Sequence, residues 1–274
     1  MNETSPEIKS HEVEEILRLL ACSDLRNNLA KALRNGKKMT LSELSEHVGA
    51  SSRACVHSLL ELGKVHVTHQ DEKRNYSLTN IGEIVTRKFE EINLAITTLS
   101  HNREFWLEHD LSDIPRHLLD KVGCLADSSI VSSTHTEIFK VFSTFYTLAE
   151  DSKEIRGLTP FFFEDLATEF MRLVDKNIDI ELILTPPVLD ATLKTLDKKE
   201  LENALKKNFK LFKSESQPKV AFTVADYFLF LGLFRPDGTF DWSCSLISYN
   251  PDALEWGQEL FAYYIAKAEP VTLS

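Results

Sequence analysis

Glycine is scarce in this sequence, and its spacing excludes two large functional classes. Nine glycines stand at 36, 49, 63, 82, 123, 157, 232, 238 and 257 of 274 residues. No two are two or five positions apart, which rules out a Gly-x-Gly dinucleotide fingerprint and a phosphate-cradling loop with glycines five apart. Nine prolines are no more numerous, so low-complexity and collagen-like architectures are excluded too. The four cysteines, at 22, 55, 124 and 244, form no close pair and no metal-ligand spacing. They read as reduced, mostly buried thiols of a cytoplasmic protein, with a redox pair of Cys22 and Cys55 as a minor alternative. Long apolar runs are missing: Val220 to Phe234 falls short of the roughly 20 residues of a membrane span and carries Asp226. Glutamates punctuate Met1 to Leu20 before any sustained apolar run, so no signal peptide and no membrane partner are expected.

Catalytic signatures are equally sparse. A Gly-x-Ser-x-Gly elbow does not occur, and His11-Glu12 is followed by Val13-Glu14-Glu15, without the second histidine of a zinc motif. His66 and His69, three apart on an expected strand, point to opposite faces and chelate poorly. No metal and no cofactor are expected.

Positive charge is the remaining shortage. Lys and Arg number 31 against 42 Asp and Glu, a net of −11, which at first argues against nucleic acid. The deficit is uneven. Residues 1–100 carry a net of −1 and residues 101–274 a net of −10, while the window 21–75 is net +3 and holds His47, His57, His66 and His69. A mildly basic module is attached to an acidic one.

What is present is a set of short helices. Apolar positions at Val13, Ile16, Leu17, Leu20, Leu25, Leu29, Ala32 and Leu33 fit two short helices or one bent one, stopped by Asn35-Gly36. Thr40 caps a helix over Leu41–Val48, with Glu43 completing a capping box. Gly49 turns the chain, and Ala50-Ser51 opens a second helix ending near Leu62. Strands over Val65–His69 and Tyr76–Thr79, joined by the polar residues 70–75, add a hairpin wing.

The second helix of this winged helix-turn-helix is the expected reader of a DNA major groove. Cys55, Leu59 and Leu62 share one face and turn inward, leaving Ser51, Ser52, Arg53 and His57 outward. Hydroxyls and amides at a helix N-terminus hold phosphates, and arginine pairs with guanine. Lys73 and Arg74 mark the wing tip, and Thr40 and Lys64 complete the candidate DNA-contacting set. The same surface, merely solvated, would also suit a winged helix used for protein contacts.

Beyond it, Ile84, Val85, Phe89, Ile92, Ala95, Ile96 and Leu99 form a helical stripe from Ile81 to about His109, expected to join two copies. From about Leu125, helices at 136–149, 161–175, 198–207 and 252–266 alternate with strands at 154–158, 178–184 and 209–212. Val220–Phe234 and Thr239–Ser248 flank the turn Arg235-Pro236-Asp237-Gly238, and the whole indicates an α/β domain. Leu158-Thr159-Pro160 and Leu184-Thr185-Pro186 each close a strand and open a helix, the spacing of one parallel crossover. Thr159 and Thr185, at the carboxyl edge of those strands, are candidate effector-binding residues, as is Asp226 within an apolar run. Asp226 also suits a bend, and Phe161, Phe162 and Phe163 suit packing better than a ligand box.

Several of these phrases resemble known regulators. Leu41-Ser42-Glu43-Leu44 through Leu59-Leu60-Glu61-Leu62, then Tyr76-Ser77-Leu78-Thr79-Asn80-Ile81-Gly82, look like the winged helix of arsenical-repressor-type proteins. Ile155-Arg156-Gly157-Leu158-Thr159-Pro160, the run from Leu246 to Trp256, and Leu260-Phe261-x-Tyr263-Tyr264 with Ala268-Glu269-Pro270 resemble the archaeal methanogenesis regulatory protein family. Between Leu62 and Val65 this chain is shorter than such regulators usually are. The resemblance implies a second domain similar to the phospholipase D fold but non-catalytic, since no histidine here has lysine two positions later.

The expected fold is thus an α+β winged helix-turn-helix domain over 1–80, a helical linker and dimerisation region over 81–124, and an α/β effector-sensing domain over 125–274. The expected function is a homodimeric transcription regulator, not an enzyme, with double-stranded DNA and an unknown small-molecule or protein effector as partners. The alternative is an enzyme acting on a small or phosphorylated substrate, with the winged helix as a docking module.

Overall fold

Short helices with well-made caps begin the chain. The structure, a computed structural model, describes residues 10–162 and 164–272. Residues 1–9, part of the stretch read for a signal peptide, and Phe163 lie outside them. Helices α1 (Ser10–Ala21), α2 (Asp24–Ala32), α3 (Leu41–Val48) and α4 (Ser52–Lys64) precede a two-stranded antiparallel wing, β1 (Thr68–Gln70) and β2 (Tyr76–Leu78). The long helix α5 (Asn80–His101) follows. Thr40 and Glu43 form the expected capping box, and Gly49 adopts φ +64° to close α3. The short passage from Leu62 into the wing is achieved by His66, whose φ of +59° reverses the chain while the Val67 amide returns to the Leu62 carbonyl. Leu20, Leu29, Leu33, Leu44, Cys55, Leu59, Leu62, Val67 and Phe89 form the core of this part. Cys55 is fully buried there and Cys22 is exposed.

The remaining elements are α6 (Arg103–Glu108), α7 (Arg116–Leu119), a 3₁₀ turn (Val122–Leu125), β3 (Ser129–Ser132), α8 (Lys140–Glu150), β4 (Glu154–Thr159), α9 (Glu164–Asp175), β5 (Asp179–Leu184), α10 (Pro186–Thr195), α11 (Lys198–Leu205), β6 (Phe209–Ser214), β7 (Val220–Ala225), β8 (Leu229–Leu233), β9 (Cys244–Ser248), α12 (Pro251–Ile265) and β10 (Ala268–Pro270). The eight strands form one sheet in the order β10-β6-β5-β4-β7-β8-β9-β3. Strands β4 and β5 are parallel, as the paired Leu-Thr-Pro phrases predict, β6 is parallel to β5, and every other pairing in this sheet is antiparallel. One face packs a core rich in residues of α8–α11, and the other packs α6, α7 and α12, with Trp256 at its centre.

Several boundaries differ from those read in the sequence. The chain divides into two units at Asn93/Leu94, within α5. Burial explains the division: Val85 and Phe89 join the first core, whereas Ala95, Phe105, Trp106, Leu118 and Leu125 join the second. The expected helix to His109 breaks at Asn102, whose side chain donates to the Ser128 carbonyl, and the Trp106 indole donates to the carbonyl of Thr98. Val220–Phe234 is a hairpin, not one run. Thr159 and Pro160 do not open a helix, because α9 begins at Glu164 and the Thr159 hydroxyl donates instead to the Phe161 carbonyl, 3.2 Å away. No helix among the described residues is long and apolar enough to cross a membrane.

Candidate nucleic-acid interface and ligand pocket

In the first unit, the α3–Gly49–α4 corner presents the end of α4 outward. The Ser51 hydroxyl accepts the Ala54 amide at 3.3 Å and still has its own proton to donate. Ser52 and Ser45 of α3 share a hydroxyl contact of 3.2 Å, which ties the two helices together. With Cys55, Ser58, Leu59 and Leu62 buried, Arg53, His57, Leu60 and Lys64 form the exposed row at helical spacing. His57 lies 3.7 Å from Glu61, which also pairs with Arg26, so its surroundings are partly acidic. Thr40 is exposed, but its hydroxyl both donates to Glu43 and accepts the Glu43 amide. Its role is therefore the cap rather than a free contact.

The wing tip is a tight turn in which Asp71 accepts the Asn75 amide and Arg74 takes φ +62°. Lys73 and Arg74 are exposed on it. The sequence reading missed Lys38 there. Met39 pairs with Tyr76 through both backbone bonds, which draws Lys38 to within 3.8 Å of Asp71. A lone apolar residue between two lysines and a capping threonine was the available signal.

The three candidate effector-binding residues are not brought together. Thr159 ends β4, and Thr185 is the N-cap of α10 with Pro186 behind it, almost wholly buried. Asp226 sits at the other end of β4, exposed in the β7–β8 turn, where it accepts the Lys153 amide at 3.0 Å. Antiparallel pairing of Ile155 with Ala225 requires this. Asp226 is a turn residue, in keeping with the bend that the sequence suggested, and it lies away from Thr159.

Thr159 instead borders a pocket that the sequence reading did not find. Strand alternation places Gly157 and Thr159, Ala221 and Thr223, Gly232, and Ser245 on one face of the sheet. All are small, so the sheet is bare of bulk here. Phe142 and Phe145 of α8, Phe170 of α9, and Phe161 stand around this floor, and Phe240 and Trp242 come from the loop before β9. The space between them, open to solvent on one side, is about 620 Å³. Phe161, Phe240 and Trp242 form a trio with ring centroids 4.5–4.8 Å apart. Phe161 packs against the core, as expected, and also lines this pocket. A second recess of about 360 Å³ shares Thr159, Phe161 and Phe170 and continues along α10. Glycines inside strands were the legible clue, since they mark close approach. A Cβ on Gly232 would stand 2.7 Å from the Phe240 ring.

The loop that carries Phe240 and Trp242 is anchored from behind by Asp241. Its carboxylate accepts from the Ser243 amide and hydroxyl, from Arg235, and meets His109 Nε2 at 3.2 Å. The His109 Nδ1 donates to the Phe105 carbonyl. Burial opposes the charge on Asp241, but the Ser243 bonds and Arg235 outweigh it and hold the carboxyl at about 2. His109, Asp241 and Cys244 are the one set among the described residues whose donor atoms lie close enough to hold a metal ion. Arg235 already neutralises the carboxylate, and burial beside Asp241 pushes the Cys244 thiol up to about 12. The cluster is better suited to anchoring a loop than to binding a cation.

Comparison with known proteins gives two family matches. The model described as methanogenesis regulatory protein FilR1, N-terminal domain, matches residues 14–97, and that of the FilR1 middle domain matches residues 138–267. The methanogenesis regulatory protein FilR1 of Methanothrix harundinacea (strain 6Ac) is 26% identical over 256 residues, or 92% of this chain. The chain spans 57% of that relative's length. Among solved structures, TrmBL2, described as an archaeal chromatin protein with a novel mode of DNA binding, is similar with a TM-score of 0.43 and 15% identity, over 96% of this chain and all of that one. The phospholipase D family member Nuc from Salmonella typhimurium gives 0.42 and 12%, over 54% of this chain and all of that one.

Proposed function

The chain belongs to the methanogenesis regulatory protein FilR1 family, and from that premise we propose that it is a DNA-binding transcription regulator rather than an enzyme. It reads an operator with α4 and the wing, works as a homodimer, and senses a ligand in its second unit. The observation that carries this reading is the outward row of α4. An N-terminus carrying the Ser51 and Ser52 hydroxyls is followed by exposed Arg53 and Lys64, with Lys73 and Arg74 on the wing tip and Lys38 beside Asp71 of that tip. Phosphates engage the former and base edges the arginine.

A mobility-shift titration on the DNA upstream of the protein's own coding region tests it. Affinity is expected to fall with salt at a slope of several per log unit. Arg53→Ala should weaken binding about tenfold and relax sequence preference, whereas Arg74→Ala should lower the salt slope by about 1. No retardation at low salt, or none lost in the double variant, would refute the regulator reading.

Dimerisation is supported by apolar side chains left bare on α5. Ile84, Ile92, Ile96 and Leu99 are 40–64% exposed and lie along one side of the helix. Sedimentation is expected to give a dimer at micromolar concentration and a monomer for Ile92→Glu/Ile96→Glu. A monomeric parent would remove this element. Two half-sites tied together multiply weak contacts, and an effector that favours one arrangement of the dimer shifts their spacing.

A further inference from the structure

We infer that the pocket over the small-residue floor of the second unit binds a neutral, planar aromatic molecule. Among the described residues, none that lines it is ionisable: the walls are aliphatic and aromatic, and the polar groups are the hydroxyls of Thr159, Thr223 and Ser245 and the indole N–H of Trp242. A carboxylate, phosphate or ammonium would lose its hydration there without gaining a counter-charge, which favours an uncharged occupant. The hydroxyls, all on the floor, offer one or two hydrogen bonds to a phenolic or carbonyl oxygen.

Shape points the same way. The sheet is low at Gly157 and Ala221, while the Phe240 ring rests directly on Gly232 and stands with Phe161 and Trp242 as a wall of rings beside that low stretch. A recess flanked by aromatic rings accepts a flat ring in offset or edge-on contact. Trp242, 42% exposed, also lines an adjoining recess with Ile138, His135, Ser133, Thr134 and Ser243, so polar and ionisable groups lie outside the pocket rather than in it. The binding assignment stands apart from DNA recognition. Its regulatory meaning rests on the function proposed above.

Three probes on one ring system separate the charge classes: 2-naphthol, 2-naphthoate and 2-naphthylmethylammonium. Calorimetry with the full chain is expected to show 2-naphthol bound at least tenfold more tightly than either ion. Quenching of Trp242 should accompany binding, because Trp106 and Trp256 are buried in the core on the opposite sheet face. Ala221→Leu, which fills the floor, should abolish binding. Phe240→Leu, which opens the wall without adding bulk, should weaken it at least fivefold, with circular dichroism reporting whether each variant is folded. No binding of 2-naphthol, equal or tighter binding of an ion, or affinity unmoved in both folded variants would overturn the assignment. Loss of ligand binding with DNA retardation intact would sink this inference alone, and the reverse would sink the regulator reading alone.

Discussion

Gly82→Ala is expected to destabilise the first unit by about 3 kcal/mol or more, enough to abolish DNA retardation. Gly82 lies in the first turn of α5, where a Cβ would stand 1.9 Å from the Val67 carbonyl oxygen and 2.9 Å from its carbon. Neither atom belongs to a side chain that can swing away. The Val67 carbonyl already accepts the Thr79 amide, and the Thr79 hydroxyl accepts the Gly82 amide while donating to the His66 carbonyl. The entry to the wing and the start of the helix are thus clasped backbone to backbone. The Tyr-x-Leu-Thr-x-x-Gly phrase follows from this clasp: Thr79 is its latch, and Gly82 is the only residue thin enough to let it close. Domain stabilities of about 5–15 kcal/mol leave little margin for such a clash. Gly36→Ala provides the contrast. Nothing lies within 4 Å of its Cβ, and only its φ of +70° resists, so a cost of about 1–2 kcal/mol is expected. Urea unfolding followed by circular dichroism compares the two. A Gly82→Ala protein as stable as Gly36→Ala would mean that the clasp is not as close as the structure has it.

Local chemistry explains which parts were legible. The capping box at Thr40 and Glu43, the left-handed Gly49 and the Ser51 cap are each decided within four residues, so the reading helix could be placed from sequence. The parallel crossover was legible for the same reason, since two identical strand endings recur 26 residues apart. Strands β3 and β10 escaped notice because each has three or four residues at a sheet edge and owes its existence to the partner strand. Val220–Phe234 hid a hairpin because both faces of β7 and β8 are buried, which erases the two-residue alternation. Asp226 was the one clue, since a polar residue in an apolar run suits a bend, and it marks the turn between β7 and β8. The pocket was the least legible. Its floor comes from four strands and its wall from two helices and two loops, and no window of sequence holds more than a fragment. Phe161 looked like packing because its partners, Phe240 and Trp242, are some eighty residues away.

The anchor behind that wall carries the second large effect. Asp241→Ala is expected to cost about 3–5 kcal/mol in the second unit, the loss that follows removal of one partner from a buried charged cluster. The His109 and Asp241 side chains are 1% and 4% exposed, and the carboxylate gathers the imidazole, Arg235 and two bonds from Ser243. Without it the Phe240–Trp242 loop loses its fixed base, so binding of 2-naphthol should weaken along with stability. The pH dependence separates this role from simple packing. A carboxyl held at about 2 when folded, and in the ordinary carboxylate range when unfolded, contributes stability that is complete above about pH 5. That contribution falls away as pH drops from 4 towards 2, because the unfolded chain takes up the proton first. Asp110, also held at about 2 chiefly by its hydrogen bond from Lys219, titrates in the same window. Asp241→Ala should therefore show a shallower acid decline than the parent, with the share due to Asp110 remaining. Asp241→Asn should keep much of the loop's shape through Ser243 while losing the same part of the pH dependence. An Asp241→Ala protein with undiminished stability at pH 7 and an unchanged acid decline would show that the loop is held by its rings alone.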